Sequence, residues 1–141
     1  MRQAVVDVSV AAKWVVEEEY SAKAALLLEF DALHAPDHWL AEAINVLWSK
    51  VFRGDLTAAH AADRMTLLMR APIVGTRIAS LMPRAFTISV ARTVTIYGSL
   101  YVALAEKRGI PMVTADERLM RRMCGDAALA KLMVWIGDLS G

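Results

Sequence analysis

The amino-acid sequence predicts an α/β fold, a parallel β-sheet with helices on both faces. Two observations carry this. Short apolar, β-branched runs recur along the chain, and helix-length segments with recognisable caps separate them. The chain has 141 residues, 57% of them hydrophobic, which suits a single domain spanning 1–141 with a substantial core. Strands that alternate with helices imply βαβ units, and so parallel pairing.

The elements follow in order. Ala4 to Val8 reads as a buried strand. Ser9 is placed to cap a short helix running through Trp14 to Glu18, and Ser21 to cap a second over Ala22 to Phe30. Leu33 to Ala35 is a brief strand. Pro36 and Asp37 open a long helix that stops at Gly54. Thr57 caps a helix to about Arg70, and Ile73 to Ile78 reads as a strand after Pro72. Residues 81–92 are predicted helical, with Pro83 tolerated in the first turn. Tyr97 to Arg108 forms a further helix, ended by Gly109. Pro111 to Ala115 is a strand, Glu117 to Met123 a helix, and Met133 to Ile136 the last strand.

Composition excludes several function classes. Sixteen Lys and Arg against fifteen Asp and Glu leave a formal charge of +1, so bulk positive charge is not available to hold nucleic acid. The longest stretch without a charged residue, Thr93 to Ala105, is 13 residues, short of the about 20 that span a bilayer. Asp7 falls where a signal peptide would carry apolar residues, and Cys124 is the only cysteine; both point to the cytoplasm. No glycine-rich phosphate loop is present. The high apolar content is explained either by a subunit interface or by an Ala- and Leu-rich helical core.

The acids carry the functional signal. Asp7 ends the first strand and Asp116 follows the Pro111 to Ala115 strand. In open parallel sheets, ligands bind beyond the carboxyl ends of the strands, where strand order switches. If the two strands are neighbours, the carboxylates converge, and such a pair suits a hard cation such as Mg²⁺ or Mn²⁺. A cap or turn role is the competing reading for each, stronger for Asp116 than for Asp7. Glu42 borders the apolar face formed by Leu40, Ala43, Ile44, Leu47 and Val51. From that border it either points along the sheet edge or stays solvated.

Three segments in register resemble the PIN-domain family, in particular the VapC-like toxins of bacterial toxin–antitoxin pairs. They are Val5-Val6-Asp7-Val8-Ser9-Val10-Ala11-Ala12-Lys13-Trp14, Leu40-Ala41-Glu42-Ala43-Ile44-Asn45-Val46-Leu47-Trp48 and Val113-Thr114-Ala115-Asp116-Glu117-Arg118-Leu119. Arg53-Gly54-Asp55-Leu56-Thr57 fits as well. The resemblance implies a three-layer α/β/α domain and a Mg²⁺- or Mn²⁺-dependent endoribonuclease with Asp7, Glu42 and Asp116 in the metal pocket. It further implies an RNA substrate, a cognate antitoxin and a homodimer. Ser9 and Thr114 match hydroxyl positions beside the acids, where they would orient carboxylates or water, or cap strand ends.

One position departs from the family pattern. The helix that usually opens Tyr-Asp-Ala-Leu-Tyr reads Tyr97-Gly98-Ser99-Leu100-Tyr101, so Gly98 stands where a pocket Asp is expected. Gly costs about 1 kcal/mol against Ala in a helix, so local stability does not explain it. A relative that has lost activity, an introduced inactivating change, or water replacing the missing ligand each fit. The alternatives to an enzyme are an inactive PIN module that still binds antitoxin or RNA, and a receiver-like domain phosphorylated on Asp7. Arg118, Arg121, Arg122 and Lys13 are candidate phosphate contacts, or simply a polar face. His34 and His38 have helical metal spacing, but Pro36 lies between them. Glu17-Glu18-Glu19 reads as a solvated helix end, and His60 as solvent-facing.

Overall fold

A computed structural model describes residues 1–141. In chain order it contains β1 (Gln3–Val6), α1 (Val8–Ala11), α2 (Ser21–Leu26), β2 (Ala32–Pro36), α3 (Trp39–Phe52) and α4 (Ala58–Leu68). There follow β3 (Ile73–Thr76), α5 (Met82–Arg92), α6 (Ile96–Arg108), β4 (Met112–Thr114), α7 (Glu117–Met123), α8 (Ala127–Ala130) and β5 (Met133–Trp135). All strand pairs are parallel, in the order β3-β2-β1-β4-β5, and helices flank the sheet in an α/β/α arrangement. No single helix is long and apolar enough to cross a membrane.

The strand order answers the question of neighbours. The chain fills one side of β1 with β2 and β3, then crosses to fill the other with β4 and β5. The switch falls between β1 and β4, where Val5 pairs with Met112 and Val6 with Val113. Asp7 extends β1 by one backbone bond, its N–H donating to the Val113 carbonyl at 3.1 Å. Both acid-bearing strand ends therefore open on the crevice where such sheets bind ligands.

α6 is the structural centre. Seven consecutive residues, Ser99 to Ala105, are buried, so the helix is covered all round. It packs on β1, β2 and β4, with α5 beside it. Thr95 caps it by accepting the Gly98 N–H, and Gly109 closes it in the left-handed conformation that glycine adopts at little cost. Thr57 caps α4 in the same way.

Several boundaries differ from the sequence reading, each for a local reason. The first strand ends at Val6, because Asp7 is extended while its carbonyl accepts from the N–H groups of Val10 and Ala11. That starts α1 at Val8, so Ser9 lies inside the helix and is not its cap. The helical segment ends in a 3₁₀ turn at Trp14, which leaves Glu17, Glu18 and Glu19 in a connecting loop. Ser21 is the first residue of α2, not its cap; its hydroxyl donates to the Val16 carbonyl and accepts the Glu18 N–H. α2 tightens to a 3₁₀ turn over Leu27–Glu29 before reaching Phe30. Pro36 belongs to β2, and α3 starts three residues later. β3 stops at Thr76 and β5 at Trp135, after which Ile136 enters a 3₁₀ turn.

Candidate active site

Asp7 is the most constrained of the predicted acids. It is 5% exposed, and its Oδ2 accepts from Ser9 Oγ at 2.6 Å and from Thr114 Oγ1 at 2.8 Å. Those hydroxyls also accept backbone N–H groups, Ser9 from Ala115 and Thr114 from Asp116, each at 3.0 Å. The two residues thus orient the carboxylate and satisfy the strand end at once. Burial pushes the Asp7 carboxyl up to about 6, against the relief of both hydroxyl bonds and with added repulsion from Asp116 and Glu42.

Asp116 is exposed and caps α7, its Oδ1 accepting the Leu119 N–H at 3.0 Å. The capping reading is realised, and the charge of the same side chain adds to the repulsion on Asp7. Glu42, near the start of α3, is half-buried and faces inward. Its Oε1 accepts from the Tyr101 hydroxyl at 2.8 Å and lies 2.8 Å from His38 Nε2, an approach without hydrogen-bond alignment. Burial, then Asp7 and Glu42, hold the Tyr101 phenol well above its usual range, so it remains a donor.

Each of the three acids spends one oxygen on a protein donor. Asp7 Oδ1, Asp116 Oδ2 and Glu42 Oε2 make no hydrogen bond within the chain. The donors are hard, all-oxygen ones of the kind that fit Mg²⁺ or Mn²⁺. No three such side chains stand close enough to hold one ion directly. The arrangement therefore fits a cation bound by one or two carboxylates, with water completing its shell.

Two clefts flank the acids, each of about 610 Å³. One contains Asp116, Gly98, Thr95 and Arg118, and the other contains Glu42, His38, Asn45 and Tyr97. A Cβ on Gly98 would stand 3.3 Å from Leu119 Cδ1 and 4.0 Å from Thr95 Oγ1, so a side chain there meets Leu119 before open space. Of the predicted cations, only Arg118 lines a cleft with an acid of the site. Lys13 is engaged by Glu18 at 3.1 Å, and exposed Arg121 lies beside Glu117. His34 bonds Gln3 from within β2, while His38 precedes α3, so their spacing is not a helical one. His60 is exposed.

Sequence reasoning missed Tyr101 and His38 as neighbours of Glu42. His38 carried a signal, four residues before the acid; Tyr101 carried none, since its partner is 59 residues away.

Two solvent-open clefts, one holding Asp116 and the other Glu42, lie on an α/β/α scaffold whose strand order switches between β1 and β4. The PIN domain model matches residues 4–126, and this chain belongs to that family. Within the family it is VapC-like. It is 32% identical over 121 residues to Ribonuclease VapC3 of Pyrobaculum aerophilum, covering 84% of this chain and 92% of that protein. It is 36% identical over 90 residues to Ribonuclease VapC3 of Mycobacterium tuberculosis, a match that spans only 64% of each chain. The crystal structure of PAE2754 from Pyrobaculum aerophilum has the same fold, with a TM-score of 0.66 at 20% identity over 96% of this chain and 92% of that one.

Proposed function

We infer that the chain is a divalent-metal-dependent endoribonuclease, the toxin component of a type II toxin–antitoxin pair. The observation that supports this reading is that Asp116 and Glu42 both repel the Asp7 carboxylate, and that each of the three acids keeps an oxygen without a partner in the chain. Asp7 and Asp116 would hold Mg²⁺ or Mn²⁺, with Glu42 as a further ligand or as the group that positions water. Such a cation, when bound, supplies a lowered pKa for its water and charge stabilisation on the phosphoryl oxygens. Ser9 and Thr114 fix the Asp7 carboxylate, and the Tyr101 hydroxyl fixes Glu42. The relatives' names support the ribonuclease activity. A cognate antitoxin and a second copy are the proposed protein partners, and the exposed Trp48, Phe52, Phe86 and Val90 offer apolar surface for them.

Gly98 favours a second reading, a PIN module that binds RNA or antitoxin but has lost the chemistry. RNA cleavage in Mn²⁺ separates the two, with Gly98→Asp and Asp7→Asn measured beside the parent chain. Cleavage by the parent that Asp7→Asn abolishes supports the enzyme. Cleavage by Gly98→Asp alone supports the module, and cleavage that survives Asp7→Asn sinks the metal-pocket assignment.

A further inference from the structure

The cleft beside Glu42 carries two exposed side chains that the fold leaves unused. Asn45 is exposed and Tyr97 is 58% exposed, and neither makes a hydrogen bond within the chain. Both line the recess with Val8, Val46, His38 and Glu42. The Tyr97 ring is backed on one side by His38, at 5.9 Å between centroids, and His38 by buried Tyr101 at 5.3 Å. Both contacts are tilted, at 40° and 59°, and they leave more than half of Tyr97 open to the recess and solvent. Tyr97 and Gly98 are consecutive, yet they line opposite clefts, one with Glu42 and the other with Asp116 and Arg118. The two clefts thus adjoin at the start of α6, one holding Asp116 and the other Glu42.

Charge then decides what kind of contact an RNA strand needs there. With a formal charge of +1 and Arg118 the only cation lining either cleft, phosphate contacts supply little affinity. Stacking a base on an aromatic ring is sequence-tolerant and worth roughly 5- to 150-fold per base. A carboxamide offers both a donor and an acceptor to a base edge.

We propose that this recess is a nucleobase pocket. The base beside the reacting phosphodiester stacks on Tyr97 over the apolar floor of Val8 and Val46, and Asn45 reads its edge. The pocket rests on the ribonuclease reading and adds to it the means by which the RNA is held and its bases told apart.

The test measures binding in an Asp7→Asn background, so that the RNA stays intact. Fluorescence anisotropy follows labelled single-stranded oligo(A), oligo(C) and oligo(U). Tyr97→Ala is expected to weaken every oligomer by about tenfold, and Tyr97→Phe to bind like the background protein. Asn45→Ala is expected to flatten the differences among the three. An unchanged melting temperature establishes that the exposed Tyr97 variants fold. Background affinity retained in Tyr97→Ala overturns the pocket and leaves the ribonuclease reading standing, as it would if a peptide occupied the recess. An unchanged base preference in Asn45→Ala overturns its edge-reading role. No binding of any oligomer by the background protein, or by the unsubstituted chain in metal-free buffer, overturns both the RNA reading and the pocket.

Discussion

At the β1–β4 junction, Asp7 sits almost wholly out of solvent with two hydroxyls on one oxygen, and those hydroxyls are in turn held by backbone. Across the crevice, the first turn of α6 offers only the bare backbone of Gly98, with the Leu119 methyl close by. The junction commits several groups to aiming one carboxylate. The helix end commits none, although its family pattern expects an acid there. The difference teaches that a carboxylate woven into a sheet end is fixed by many groups at once, while a position displayed on a helix turn answers to a single neighbour. Removing Asp7 disturbs a network; gaining or losing an acid at position 98 disturbs one leucine.

The strongest way to break this comparison is Asp7→Asn. If the junction is the functional half, RNA cleavage in Mn²⁺ falls by on the order of 10³-fold, the equivalent of several kcal/mol. The same variant reports the strain of burying that charge. The Asp7 carboxyl titrates near 6 when folded, above the ordinary 3.8. The folded state therefore binds this proton more tightly, and stability falls as pH rises through that window. Ionised Asp7 then costs about 3 kcal/mol. In metal-free buffer, Asp7→Asn is expected to exceed the parent by up to about 3 kcal/mol at pH 8, and to match it near pH 4. Urea midpoints at the two pH values measure this, and equal midpoints at both would show Asp7 to be unstrained.

Gly98→Asp sharpens the comparison from the other side. It is expected to raise Mn²⁺ affinity by about tenfold or more, read by calorimetry, once Leu119 has given by a few tenths of an ångström. A variant that holds Mn²⁺ no tighter would mean that the helix end is not part of the metal pocket. Tyr101→Phe tests the third acid. Losing a hydrogen bond to a charged group should lower Mn²⁺ affinity by about tenfold while the ring still fills the core; unchanged affinity would place Glu42 outside the site. The smallest effect concerns the connection that leads into α6. Thr93 has φ 56°, a left-handed conformation that β-branched residues resist. Thr93→Asn is expected to raise stability by up to about 1 kcal/mol in thermal unfolding, because Asn tolerates that region.

Much of this organisation was legible in the residues themselves. Thr57 and Asp116 act as the caps their positions suggested, because capping is decided within a few residues. Ser9 and Ser21 misled for the same reason. A serine before an apolar run looks like a cap, but at Ser9 the extended Asp7 starts the helix two residues earlier and diverts the hydroxyl to the acid. Ser21 is displaced by Tyr20, which turns the chain in a left-handed conformation no local pattern announced. The pairing of β1 with β4 joins residues more than a hundred positions apart, so the neighbour relation of the strands that carry Asp7 and precede Asp116 was a condition in the sequence and became a fact only in the fold. Tyr101 was hidden by its company, since a tyrosine within Leu100-Tyr101-Val102-Ala103-Leu104 reads as core, which it is, while its hydroxyl reaches Glu42.

The burial of α6 has a consequence for how the protein wears out. The turn that separates the two clefts is continuous with the most enclosed helix of the molecule. Amides in such a helix exchange with solvent only when the whole domain opens. The working edge should therefore have no early failure of its own. On heating, function and fold are expected to vanish together, and a protease that trims loose ends would leave the crevice intact until the entire chain is pulled apart.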